Sequence, residues 1–341
     1  MLESVTLTNF GPVGKVSWSK MGKLNLLVGA NGAGKTFILK ALYSAMRTLE
    51  EYRKGDDRRH IGEILVDKLH WTFQAERLGD LIARGPSGPT QQLEADFRIG
   101  GGRFAYRFGR DTHRQIATVE VPSVGRTANS IFLPAKEVLS LLPIIIHSRE
   151  QDRVFGFDDT YFDLAKALQI LPENRTSKPS AEARKKLVAL IHGQMVYDEK
   201  NKRWQFRRAD RQKFSLSVTA EGVKKIAILD TLLGNRYLTP KSIVFIDEPE
   251  AALHPKAISD FLDIVAFLAD SDIQFVLSSH SYFVIKKLYL IAKHKKMPVS
   301  TLCAQSDGTW LQSDLADGLP DNPIINESVR LYEQEVDLAM P

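Results

Sequence analysis

The strand-like run Leu24–Val28, together with the eight residues after it, limits what this chain can fold into more than any other feature. The run is nearly all apolar and predicts a buried strand. Gly29, Ala30, Asn31, Gly32, Ala33, Gly34, Lys35 and Thr36 then fit G-x-x-x-x-G-K-[ST], and the spacing of Phe37, Leu39, Leu42 and Met46 predicts a helix directly behind them. A strand that turns through glycines into a helix is a phosphate-binding unit. Its backbone N–H groups curl around phosphates and the positive end of the helix faces them. Lys35 reaches the terminal phosphates, and the Thr36 hydroxyl takes a magnesium position. A glycine turn without a ligand would need no Lys-Thr pair.

Such a unit has to sit in a sheet, and the second half of the chain predicts a parallel one. Helices at 221–233, 255–269 and 281–296 alternate with apolar strands at 242–247, 273–278 and 300–304. Ahead of the glycine loop, Leu2, Val5 and Leu7, then Val13, Val16 and Trp18, predict a hairpin around the Phe10–Gly14 turn. Three alternating runs between Gln92 and Val121 predict an antiparallel sheet, and a short strand, Ser130–Leu133, stops at Pro134. Helical patterns follow at 136–146, 158–171 and 179–193, broken by Pro143, Pro172 and Pro179, and then a hairpin at 194–197 and 203–206. The fold class expected is α/β, with a mainly parallel P-loop core, an antiparallel β subdomain and an inserted helical lobe. The expected division is 1–134, 135–215 (the lobe with its hairpin), 216–312 and an acidic amphipathic tail at 313–341.

With 341 residues, 43% hydrophobic and 26% charged, the chain has the makings of one large core and not of a fibre or a disordered protein. Its single cysteine, Cys303, excludes internal disulfides and multi-cysteine zinc sites. No apolar run approaches the roughly 18 residues a membrane span needs, and the first residues lack a leader pattern, so a cytoplasmic location without a membrane partner is expected. The net charge of +5 is unevenly spread: from Ser313 onward there are seven acidic residues and one arginine, so taking away this −6 leaves +11 on the remainder. The dense charge of 50–60 reads as a solvated helix end.

The run Ser242–Ile246 leads into Asp247 and Glu248 at what should be the carboxyl edge of the sheet, where ligand crevices form. Two acids there are costly without a task. Asp247 is expected to hold the magnesium water shell, and Glu248, facing another way by strand alternation, to polarise the attacking water. The next strand ends in Ser278-Ser279-His280-Ser281, which brings His280 to the same edge within reach of a γ-phosphate.

With Asn-Gly inside its loop, with Asp247-Glu248-Pro249-Glu250-Ala251-Ala252-Leu253-His254-Pro255, and with Ser279-His280-Ser281, the chain resembles ABC-type ATPases. The opening TLTNFGPVG and the DEPEAALHP string resemble the branch of OLD-family ATPases and ATPase subunits of anti-phage systems of the Septu and PARIS type. That resemblance implies ATP and Mg2+ as ligands, and a homodimer that sandwiches ATP between the loop of one copy and a signature turn of the other. The signature would be Thr219-Ala220-Glu221-Gly222, with Thr219, Glu221 and Gly222 on the nucleotide; it departs from the family's Ser-Gly-Gly-Gln, Ala220 standing where the serine is expected. Gly222 and the helix start still offer N–H groups to a γ-phosphate. The glutamine that joins the lobes in this family is missing after Leu133, and Lys136 or Glu137 is the replacement to be expected.

Two further features bear on partners. The segment 200–213 carries seven basic residues interleaved with Trp204 and Phe206 and reads either as a nucleic-acid surface or as a solvated hairpin. The tail is amphipathic, with Ile324, Ile325, Val329, Leu331, Tyr332 and Val336 at helical spacing, and either packs on its own domain or presents a partner-binding helix. The 61 residues after His280 are too few for a Toprim nuclease, so the expectation is an ATPase that gates a separately encoded effector in anti-phage defence. The alternative is a RecF-like ATP-driven clamp on DNA.

Overall fold

The computed structural model describes residues 1–83, 91–123, 125–172, 177–198 and 203–340. The chain opens with β1 (Leu2–Phe10), β2 (Val13–Trp18) and β3 (Leu24–Val28), then α1 (Lys35–Glu51) and α2 (Ile61–Phe73). It continues through β4 (Gln92–Ile99), β5 (Gly102–Gly109), β6 (Thr118–Glu120) and β7 (Ser130–Leu133). A 3-10 turn (Leu139–Leu141) leads into α3 (Leu142–His147), which loosens into a π turn (Ser148–Asp152) before α4 (Asp159–Leu168) and α5 (Lys178–Leu190). Next come β8 (Gly193–Asp198), β9 (Arg203–Arg208), β10 (Lys213–Ser215), α6 (Glu221–Gly234), β11 (Ile243–Asp247), α7 (Pro255–Asp270), β12 (Gln274–Ser279), α8 (Tyr282–Lys295), β13 (Val299–Ala304), β14 (Trp310–Asp314) and α9 (Pro323–Ala339).

The central sheet has the order β14-β13-β3-β12-β11-β7; every pairing is parallel except that of the edge strand β14. Alternation sends Leu24, Leu26, Val244, Ile246, Phe275 and Leu277 into one core and Leu27, Phe245, Val276 and Phe132 into another, so both faces are covered. The hairpin β1–β2 and the antiparallel strands expected after Gln92 form one sheet, β2-β1-β4-β5-β6, over the second core together with α1. The predicted hairpin of the lobe gains a third strand, giving β10-β9-β8.

Several local expectations change. The helix expected from 136 begins at Leu142 after the 3-10 turn, with Pro143 in its first turn, where the missing N–H is harmless. The charge run 50–60 is solvated only in part: Glu50 is buried between Arg47 (2.9 Å) and Arg126 (2.9 Å). Helix α2 was not read in the sequence, although a capping box marks its start: His60 accepts from the Gly62 N–H, and Glu63 accepts from the His60 N–H at 2.8 Å.

Candidate functional site

Register brings the sequence-predicted residues to one edge. Asp247 pairs with Ser278, Ser279 with Val28 and Ile246 with Leu133, so β3, β7, β11 and β12 all end there. The loop after β3 turns through Gly32 (φ 81°) and Gly34 (φ 95°), backbone that a side chain would strain, and hands over to α1. Lys35 is buried, and its Nζ lies 2.8 Å from the Gly29 carbonyl and 3.0 Å from that of Ala30. Burial lowers its pKa, opposed by the nearby Glu248, Asp247 and Glu250.

Thr36 Oγ1 donates to Asp247 Oδ2 at 2.8 Å, while Asp247 Oδ1 accepts from the Ser278 hydroxyl. The donor set is a hydroxyl and a carboxylate at the foot of a phosphate loop, all oxygen, which fits magnesium, an ion that takes one or two protein oxygens and keeps water and phosphate for the rest. Glu248 does face away from Asp247, but the cause is a left-handed turn (φ 49°) beyond the strand end, with its N–H held by the Ser278 carbonyl at 3.0 Å. This places its carboxylate 3.0 Å from His280 Nδ1; Glu250 is 3.7 Å from the same nitrogen.

Two side chains supporting these groups had no role assigned from the sequence. Glu250 Oε1 accepts from the Ser279 hydroxyl at 2.7 Å and from the His280 N–H at 3.3 Å, fixing the histidine's backbone. Its Oε2 is buried without a hydrogen-bond partner among the described residues. Lys225 Nζ donates to the carbonyls of Asp247 (3.1 Å) and Glu248 (2.5 Å), bracing the left-handed turn from α6. Burial brings its pKa down to about 8 against the pull of Glu250, Asp247 and Glu248.

The predicted signature residues lie at the start of α6. The Thr219 hydroxyl donates to the Ser215 carbonyl at 2.9 Å, and Ala220 caps α6 without a side-chain bond. Glu221 is exposed, and Gly222 is buried against Ala252: a Cβ there would come within 2.4 Å of the Ala252 carbonyl oxygen. Of the two candidates for the missing glutamine's role, Lys136 is exposed. Glu137 accepts from the Ser140 N–H at 2.8 Å and lies 3.8 Å from Lys224 on α6, joining the segment after β7 to that helix.

The largest omission in the sequence reading is a buried ionic network behind the loop. From α1, Lys40 meets Asp158 (2.7 Å), while Tyr43 (2.7 Å) and Arg47 (3.1 Å) meet Asp163 on α4. Lys68 of α2 reaches Glu51 (2.8 Å) and Asp159 (3.3 Å). Burial alone would raise the pKa of Asp163, yet Arg47, Lys68 and the Tyr43 hydroxyl hold it well below the carboxylate range. The helix that carries Lys35 and Thr36 is thereby tied to the helical lobe.

In the basic hairpin, Lys200 and Lys202 lie outside the described residues. Arg203, Arg208, Arg211 and Lys213 are exposed, but Phe206 is buried and Trp204 packs edge-on to Tyr197 at 5.4 Å. Of the aromatic surface expected for stacking bases, Phe206 is therefore withdrawn while Trp204 stays partly exposed. No helix among the described residues is long and apolar enough to cross a membrane.

Comparison with known proteins matches residues 24–286 to the family described as AAA domain, putative AbiEii toxin, Type IV TA system. A stretch of 80 residues, 24% of this chain, is 30% identical to the Old nuclease of Escherichia phage P2, of whose length it spans 13%. Among solved structures, an SMC head bound to the C-winged helix domain of ScpA superposes with a TM-score of 0.54 at 15% identity, over 92% of this chain and 97% of that one. The SMC head domain from Thermotoga maritima gives a TM-score of 0.48 at 14% identity, over 92% and 98%. The likeness to the first of these bears on the fold alone, and there it agrees with the α/β class read from the sequence.

Proposed function

The chain belongs to the family described as AAA domain, putative AbiEii toxin, Type IV TA system, and from that premise we propose that it binds ATP with magnesium and hydrolyses it in a dimer closed around the nucleotide. One observation supports this most: Thr36 on Asp247 (2.8 Å) and Glu248 on His280 (3.0 Å) sit side by side at the mouth of the Lys35 loop. Lys35 would leave the Gly29 and Ala30 carbonyls for the β- and γ-phosphates. Mg2+, held by Thr36 and Asp247, would neutralise charge on those phosphates. Glu248 would take the proton of the attacking water, with His280 orienting the carboxylate and contacting the γ-phosphate. The N-terminus of α6 in a second copy, with Thr219, Glu221 and Gly222, would complete the site. Lys35→Ala should abolish ATP binding in a direct titration; retained tight affinity would refute the loop's role.

The biological setting we propose is control of a separately encoded effector in anti-phage defence, in the cytoplasm. It is supported by the toxin named in the family description and by the stretch shared with the phage P2 Old nuclease. Co-purification with the product of an adjacent gene is expected, and a solitary dimer in every nucleotide state would count against it. A RecF-like clamp on DNA is the second reading, supported by the exposed basic hairpin. It requires ATP-dependent DNA binding that weakens with salt and is lost when Lys202, Arg207 and Arg208 become alanine.

A further inference from the structure

Among the described residues, two surfaces carry no packing partner, and their chemistry is complementary. The first is α9. Only Ile325 of its 17 residues is buried, and such a helix is about 25 Å long. From Val329 onward it stands in solvent, Tyr332 being 66% and Leu338 85% exposed. Ile325, Val329, Tyr332 and Val336 repeat at spacings of four, three and four, so they form one apolar stripe. Glu333 and Glu335 flank that stripe, and no lysine or arginine follows Arg330, itself paired with Glu327 at 2.6 Å. Two such helices pairing with each other would bring acids against acids, which is destabilising.

The second surface is a groove of about 1090 Å3 in the helical lobe, between α3, the end of α4, α5, α6 and the β8–β9 hairpin. Its floor is apolar, with Leu142, Ile146, Met195 and Trp204, and Arg184 and Arg203 stand at its wall. Arg207, Arg208, Arg211 and Lys213 continue the positive charge along the hairpin, with Asp210 the one acid between them. The wall is not uniformly basic, because Arg184 pairs with Asp230 (2.8 Å), which also lines the groove. Helix α9 packs on α8, α8 on α7 and α7 on α5, so α9 and the groove of one copy are separated by intervening helices.

We propose that α9 of one copy docks its apolar stripe into the lobe groove of a second copy, with Glu333 and Glu335 against the basic hairpin. The apolar area removed from water drives the contact and the charges set its polarity. A helix laid into an apolar groove through residues at i, i+3 or i+4 and i+7 is a recurring recognition mode. The contact needs no nucleotide and is distinct from the proposed ATP sandwich, so the failure of either leaves the other standing.

Sedimentation of the full chain without nucleotide, across a concentration series, tests the proposal. Self-association is expected, weakened at least tenfold by the exposed pair Tyr332→Asp with Val336→Asp. Glu333→Lys with Glu335→Lys should weaken it likewise, and mixing that variant with a chain carrying Arg203→Glu and Arg207→Glu should restore a mixed complex. A concentration-independent monomer, tail variants that associate as before, or loss without rescue by the reversed hairpin would each overturn it.

Discussion

At the residue scale, the site turns on where single charges are placed. Lys225 is a cation inside the molecule whose work is to hold two carbonyls at the Glu248 turn. Its pKa falls from 10.5 unfolded to about 8 folded. Between those values the unfolded chain binds more protons, so this group makes the fold gain stability as pH rises from 8 to 10.5. The gain is on the order of 3 kcal/mol. Denaturant unfolding of wild type and Lys225→Met across that window should show the difference as one titrating group, and parallel pH profiles would remove Lys225 from the account. The residues legible in the sequence were those whose chemistry is local: a glycine that must take positive φ, an acid or histidine closing an apolar strand. Lys225 and Glu250 act on backbone atoms brought near by folding, and no local pattern marks them.

At the element scale, α1, α2 and α4 are locked by charges that sit far apart in the chain; Arg47 and Asp163 are 116 residues apart. That separation is why periodicity located these helices, where it did, without indicating that they were joined. Removing one member of a buried ion set leaves the others uncompensated, so Asp163→Asn should lower stability by about 3–5 kcal/mol. Unfolding midpoints check this, and a loss below ~1 kcal/mol would mean that water or rearrangement satisfies Arg47 and Lys68. The start of α6 carries a related constraint: a Cβ at Gly222 would meet the Ala252 backbone of the same chain. Gly222→Ala should therefore cost about 1–3 kcal/mol in the isolated monomer, and an unchanged unfolding midpoint would show that the turn has room. The strands β10 and β14 escaped the sequence reading because neither carries the buried apolar run that marked β3, β7 and β11, every residue in them being half-buried or exposed.

At the scale of the whole molecule, a parallel sheet gathers four strand ends at one edge and sets the Lys35 loop, the Thr36–Asp247 pair proposed to hold magnesium and the Glu248–His280 pair beside one another. The ionic network then ties the loop's helix to the lobe. The measurement that bears most directly on this account is ATP turnover together with ATP-dependent dimerisation, for wild type and Glu248→Gln. The account predicts that the variant still binds ATP, turns it over at least a hundredfold more slowly and accumulates as the closed dimer. Turnover equal to wild type would contradict it, by taking the attacking water away from Glu248.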